Sequence, residues 1–166
     1  FPPGHEITED DVDAVIADTK EENVFSLFDC MAEPEHTPSE RLEGALEILQ
    51  KIRLSKENSS VMVIAGLSSC FRKLGAWHKL ASAGALNDFN LKINGFSGKK
   101  VQSQYARASS VWTAGQTAAI LSLLAASDMD IRSGGSRIED ILLQKLLYEI
   151  CVKKGALSAV YVAEPF

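Results

Sequence analysis

The stretch TPSERLEGALEILQKIRLSKENSSVMVIAGLSSCFRKLGAWHKLASAG, residues 37–84, decides the fold. Thr37-Pro38-Ser39-Glu40 is a complete helix start: an N-cap hydroxyl, proline at the first helical position and glutamate at the third. Leu42, Ala45, Leu46, Leu49 and Ile52 follow at helical spacing and make one apolar stripe. Glu47 and Lys51 add an i,i+4 pair on the wet side. From Ser59 or Ser60 a second, longer helix is expected to run to about Ala83. Its stripe is Ile64, Leu67, Cys70, Phe71, Leu74, Trp77 and Leu80/Ala81, and Gly84 is a good terminator. Gly66 and Gly75 each cost a helix about 1 kcal/mol against alanine, so both read as points of close helix packing.

The same grammar extends outward. Thr8 caps a short helix carrying Val12, Val15 and Ile16, with Glu9, Asp10, Asp11 and Asp13 in its first turns, where the helix dipole favours carboxylates over any metal role. Asn23 caps the next, with Val24, Phe25, Leu27, Phe28 and Met31. Leu86 to Ile93 reads as a short helix ended by Asn94-Gly95. Another starts at Ser97-Gly98-Lys99-Lys100 and runs through Val101, Tyr105 and Ala108, with a break expected near Ser109-Ser110. The helix after it is apolar from Ala118 to Ala126 except for Ser122. It should be the most buried and end near Met129 to Ile131. Ser133-Gly134-Gly135-Ser136 reads as a loop, and Ser136 with Glu139 as the capping box of the last helix, which runs through Ile138, Ile141, Leu142, Leu146 and Ile150. Only Leu157–Val162 alternates like a strand. The fold class is all-α: a bundle of five to seven helices.

Composition bounds the function. A chain of 166 residues is one domain or one domain plus a fragment. No run reaches about 18 apolar residues, so no membrane span or membrane partner is expected. The start Phe1-Pro2-Pro3-Gly4 has no signal-peptide character and reads as a piece cut from a longer chain. Cys30, Cys70 and Cys151 are scattered through apolar runs. They read as buried free thiols in a reducing, cytoplasmic compartment, which makes chance the better account of the glycosylation pattern Asn58-Ser59-Ser60. No cysteine or histidine spacing suits zinc.

The net charge of −5 hides an asymmetry. Residues 1–50 hold 14 acidic and 2 basic side chains, whereas residues 51–107 hold 10 basic and 2 acidic, Glu57 and Asp88. Two differently solvated faces explain this, and a basic surface for an anionic partner is the sharper alternative. Gly95–Lys100 echoes a phosphate loop but fails it. Ile93 replaces the first glycine, Lys100 replaces the hydroxyl residue, and no strand precedes it. Trp77 and Trp112 belong in the core. Phe96, in a Gly/Ser loop beside Lys99 and Lys100, is the aromatic expected at the surface, giving a candidate DNA contact of Phe96, Lys99 and Lys100. Asp128 and Arg132 stand i,i+4 as a helix-end ion pair or an interface contact. No catalytic residue, cofactor or metal ligand is expected.

The order of these elements resembles the C-terminal part of the delta subunit of the bacterial DNA polymerase III clamp loader. The resemblance rests on Ile7-Thr8-Glu9-Asp10-Asp11-Val12, on Asn23-Val24-Phe25-Ser26-Leu27-Phe28-Asp29, on Ala45 to Leu54, and on Val63 to Phe71-Arg72-Lys73-Leu74. It continues through Phe96 to Lys100, Leu124 with Asp128-Met129-Asp130-Ile131-Arg132, and Ile138 to Ile150. Arg132 stands where lysine is commoner, and Gly134-Gly135 departs from the pattern. The resemblance implies that residues 1–22 are the remnant of an AAA+ lid domain and residues 23–166 a helical collar domain. It implies a non-catalytic role that holds delta in a pentameric ring beside the gamma/tau ATPase subunits and delta-prime. The sliding clamp would be reached through a missing N-terminal domain, and primer-template DNA would lie below the collar. The alternatives are a helical protein-interaction adaptor unrelated to replication and an all-α enzyme using Asp128 or His78.

Overall fold

The computed structural model describes residues 23–55, 59–134 and 136–156. Seven helices follow one another there, with no strand among the described residues. They are α1 (Val24–Met31), α2 (Pro38–Leu54), α3 (Ser60–Ser82), α4 (Asp88–Ile93), α5 (Lys99–Val111), α6 (Ala114–Gly134) and α7 (Ser136–Cys151). The protein is an all-α helical bundle, and among the described residues no helix is long and apolar enough to cross a membrane. The expected lid helix after Thr8 and the alternating Leu157–Val162 stretch lie outside the described residues.

The helix starts follow the caps. Asn23 accepts from the Ser26 amide at 3.0 Å, Thr37 and Glu40 form the full capping box, and Ser59 accepts from the Met62 amide at 3.2 Å. Gly84 ends the long helix region with φ +65°, a conformation that needs no Cβ.

Helix α3 is the axis of the molecule. It packs against α1, α5, α6 and α7, and buries Val63, Ile64, Leu67, Cys70, Phe71, Leu74 and Trp77. Six rings from α1, α3, α5 and the loop before α5 run through the core as an unbroken chain. Trp112 meets Phe71 at 4.9 Å, Phe71 meets Phe28 at 5.2 Å, and Phe28 meets Tyr105 at 5.6 Å. Tyr105 then meets Phe96 at 5.2 Å, and Phe96 meets Trp77 at 5.4 Å. All but the tilted Phe28–Tyr105 pair meet edge to face, and such pairs add about 0.5–1.5 kcal/mol each beyond their buried area. The Trp112 indole N–H donates to the Ile150 carbonyl at 3.2 Å and so ties the end of α5 to the end of α7.

Four expectations are corrected. The break after α5 falls at Trp112-Thr113, not at Ser109-Ser110. Both serines return their hydroxyls to the Ala106 carbonyl, while Thr113 and Gln116 form a reciprocal cap at 2.9 and 3.1 Å. Ser133 and Gly134 are helical, because the Ser133 hydroxyl donates to the Met129 carbonyl at 3.0 Å inside α6. The most buried helix is α3 and not α6, which buries only Thr117, Ile120, Leu124 and Ile131 and leaves Ala118, Ser122, Ala125 and Ala126 at the surface. Among the described residues α6 packs mainly against α3 and α7, which leaves its outer alanines uncovered. Finally, Gly66 is a close-packing point and Gly75 is not. A Cβ at Gly66 would lie 2.7 Å from Val24 Cγ1, whereas one at Gly75 would meet nothing within 4 Å.

Candidate functional site

The surface expected to touch DNA is divided by the fold. Phe96 is fully buried, with no exposed surface at all, which corrects its placement as an exposed stacking residue. Its loop is short, and the ring is drawn in between Trp77 and Tyr105. Lys73 closes the lid: its ammonium donates to the Gly95 carbonyl at 3.0 Å and lies 5.6 Å from the Phe96 centroid and 5.7 Å from that of Tyr105. Phe96 is therefore a core residue, and a base has no face of it to stack on.

Lys99 and Lys100 remain exposed at the first turn of α5. Gly98 offers that helix no side-chain cap. Two cations at a helix N-terminus oppose the macrodipole, so local helix stability does not explain them. Lys100 also lines a cleft of about 390 Å³ between α1 and α5, with Phe25, Gln104 and Arg107. Arg107 is held there by Asp29, guanidinium to carboxylate at 2.9 Å, and by the Ser103 hydroxyl at 3.2 Å.

Asp128 and Arg132 pair at 3.0 Å on the last turns of α6, with 61% of the arginine side chain exposed. The structure thus shows a helix-end ion pair at the surface. A second polar cluster went unread in the sequence. The Arg53 guanidinium donates to Asp140 at 2.9 Å and to the Ser60 hydroxyl at 2.7 Å. Ser60 donates to Glu139 at 2.8 Å. This network pins the end of α2 to the starts of α3 and α7. Arg41, buried on α2, was also unread: it donates to the Glu33 carbonyl at 2.7 Å and shapes the turn before its own helix.

The buried thiols have no reactive character. Desolvation pushes Cys70 up to about 11, opposed by its side-chain hydrogen bond with Tyr105. Desolvation likewise pushes Cys151 up to about 12. Cys70 and Cys151 are buried as expected, Cys30 is half-buried, and no disulfide joins any two of the three. Among the described residues no three His, Cys, Asp or Glu side chains gather as a metal site. His78 is fixed by its Nε2 at 2.9 Å from the Trp112 carbonyl. A carbonyl only accepts, so this nitrogen carries the proton.

Two surface features missed by sequence reasoning stand out. One is an exposed apolar face on α4 and the turn before it: Leu86, Phe89 (71% exposed) and Ile93 (63% exposed) recur at i, i+3 and i+7, while Leu91 alone turns inward. That spacing was the available signal. The other is a groove of about 910 Å³ between α3 and α6, floored by Gly75, Ala76 and Ala118 and rimmed by Arg72, His78 and Lys79.

No family model matches the chain, and no solved structure matches it. Over 53 residues the chain is 47% identical to an uncharacterized protein of Treponema pallidum (strain Nichols), a match that spans 32% of this chain and 70% of that protein, and the chain belongs to the family this protein represents.

Proposed function

We propose that this chain is a non-catalytic oligomerisation domain, the collar of a DNA polymerase III delta subunit, which holds delta in the clamp-loader ring. One observation carries the reading: exposed apolar residues gather at both ends of α3, a helix about 34 Å long. Leu86, Phe89 and Ile93 follow its C-terminal end. Leu54, Met62 and Ile141 flank the Arg53–Ser60–Glu139–Asp140 cluster at its N-terminal end. A subunit in a heterologous ring needs two different contact patches facing two neighbours, and contiguous exposed apolar surface is the physical mark of such contacts. The order and spacing of the helix motifs support the choice of ring.

The test is co-elution with gamma/tau and delta-prime of the same organism, with mass by light scattering. A complex of defined mass without nucleotide is expected. Phe89→Ser with Ile93→Ser should remove one neighbour and keep the other. Failure of the chain to join either subunit, alone or together, overturns the reading. DNA contact now rests on Lys99 and Lys100 alone. Replacing both by alanine in the assembled loader should lower the slope of log affinity against log salt by about 2. An unchanged slope removes DNA from their role.

A further inference from the structure

The groove between α3 and α6 has the form of a binding site whose occupant is not part of the described fold. Its floor repeats, at Gly75, what the protein does at Gly66. There, Val24 of α1 seats its side chain where a Cβ would otherwise stand, at 2.7 to 3.1 Å from three of its carbons. At Gly75 the same helix offers the same missing Cβ, and nothing among the described residues lies within 4 Å. Ala76 and Ala118 keep the floor low on either side, so an incoming helix can bring its backbone close.

The rim supplies the polarity. Arg72 and Lys79 both line the groove and both are exposed. Seven residues apart on one helix, they stand about 10 Å apart along its axis. Among the described residues neither has an ion pair, whereas Arg53, Arg107 and Arg132 are all matched to carboxylates. Among the described residues no acidic side chain lines the groove. The charge it lacks is therefore negative, and the spacing suits two carboxylates two turns apart on a facing helix.

We propose that this groove docks an acidic amphipathic helix of a partner protein, which seats an apolar side chain on Gly75 and pairs carboxylates with Arg72 and Lys79. The apolar, small-residue floor separates this from a nucleic-acid site, where phosphate contacts dominate and the interface is polar. The inference stands apart from the collar reading, since it concerns neither apolar patch and holds for any partner of this chemistry.

The probe is an 18-residue capped helical peptide with glutamates seven residues apart and valine between them, titrated into the full chain by fluorescence anisotropy at low salt. Saturable binding is expected, weakened at least tenfold by Arg72→Glu with Lys79→Glu. Gly75→Leu should weaken it equally by filling the seat. Arg72 and Lys79 are exposed and Gly75 is partly exposed, and thermal melts of the variants verify that the fold is intact. Absence of saturable binding overturns the proposal. So does binding that the Gly75 variant leaves unchanged, which would reduce the groove to a pair of surface charges. A duplex DNA 20-mer that binds more tightly than the peptide and depends on Arg72 and Lys79 also overturns it, in favour of a nucleic-acid face.

Discussion

The two halves of α3 are built from similar residues and end in opposite circumstances. Around Gly66 and Phe71 the inner side of the helix is covered: Val24 fills the space over Gly66, and Phe71 sits between Phe28 and Trp112. From Gly75 onward one side is still core, through Trp77, but the other opens into the groove with Arg72 and Lys79 on its rim. Glycine in a helix thus carries two meanings. It admits a neighbour at one position and leaves room at the other. Only the arrival of α1 decides between them, and α1 packs over one end of α3 and not the other.

The largest test of this contrast lies in the ring chain that joins the halves. Phe96→Ala should lower stability by about 3–5 kcal/mol, the usual cost of truncating a buried phenylalanine. An exposed loop phenylalanine would cost within about 0.5 kcal/mol. Urea unfolding separates the two outcomes without ambiguity. Loss of the ring also uncovers Lys73, whose ammonium now rests beside Phe96 and Tyr105.

Titration of the buried thiols should give the next largest effect. Below about pH 9 the thiols of Cys70 and Cys151 are protonated in both folded and unfolded chains, so their full contribution is present. Above it the unfolded chain ionises first, because burial holds the folded values up to about 11 and about 12. Stability should therefore fall as pH rises from 9 toward 11, at up to about 1.4 kcal/mol per pH unit for each thiol. Cys70→Ala should remove its share of that slope, which melts at pH 7, 9, 10 and 11 would reveal.

The two glycines themselves come next. Gly66→Val should destabilise by about 1–3 kcal/mol, since the incoming side chain meets a β-branched Val24 that has few rotamers to retreat into. Gly75→Ala should stabilise by about 0.5–1 kcal/mol, because helix propensity improves and nothing stands in the way. Opposite signs from the same class of site would confirm the contrast. Equal signs would show that α1 does not hold its place over Gly66.

How much of this was legible follows from what kind of signal each feature leaves. The starts of α1, α2 and α3 were readable because a cap is a local event: Asn23, Thr37 and Ser59 satisfy backbone donors within three residues. The start of α6 was equally local, in Thr113 and Gln116, and was passed over in favour of two serines that prove to be helical. Burial was less legible. Apolar character around Ala118 to Ala126 suggested the deepest helix, yet alanines bury little area each. The wide residues Phe71, Leu74 and Trp77 drew the core to α3 instead. Phe96 was misplaced because its glycine-serine neighbours describe the loop and not the ring. Its burial comes from Trp77 and Tyr105, 19 residues before it and 9 after it. The groove rim was hidden for the same reason: Arg72 and Lys79 look like ordinary wet cations until Gly75 is found uncovered.

The smallest effect belongs to the surface pairs, and it sharpens the contrast by comparison of like with like. Asp128 and Arg132 form a single contact at 3.0 Å within one helix, with the arginine largely in water. Asp128→Ala should cost under about 1 kcal/mol, and that little should vanish at high salt. Arg53 also meets a carboxylate at 2.9 Å, but it bridges three helices and shares the buried Ser60 hydroxyl with Glu139. Replacing Arg53 by alanine strips Ser60 and Asp140 of the guanidinium donor and leaves Glu139 only the Ser60 hydroxyl, so its cost should exceed that of Asp128→Ala and persist in salt. Distances alone rank these pairs as equals. What separates them is whether the fold on both sides of the contact depends on it, and paired melts at low and high salt read that difference directly.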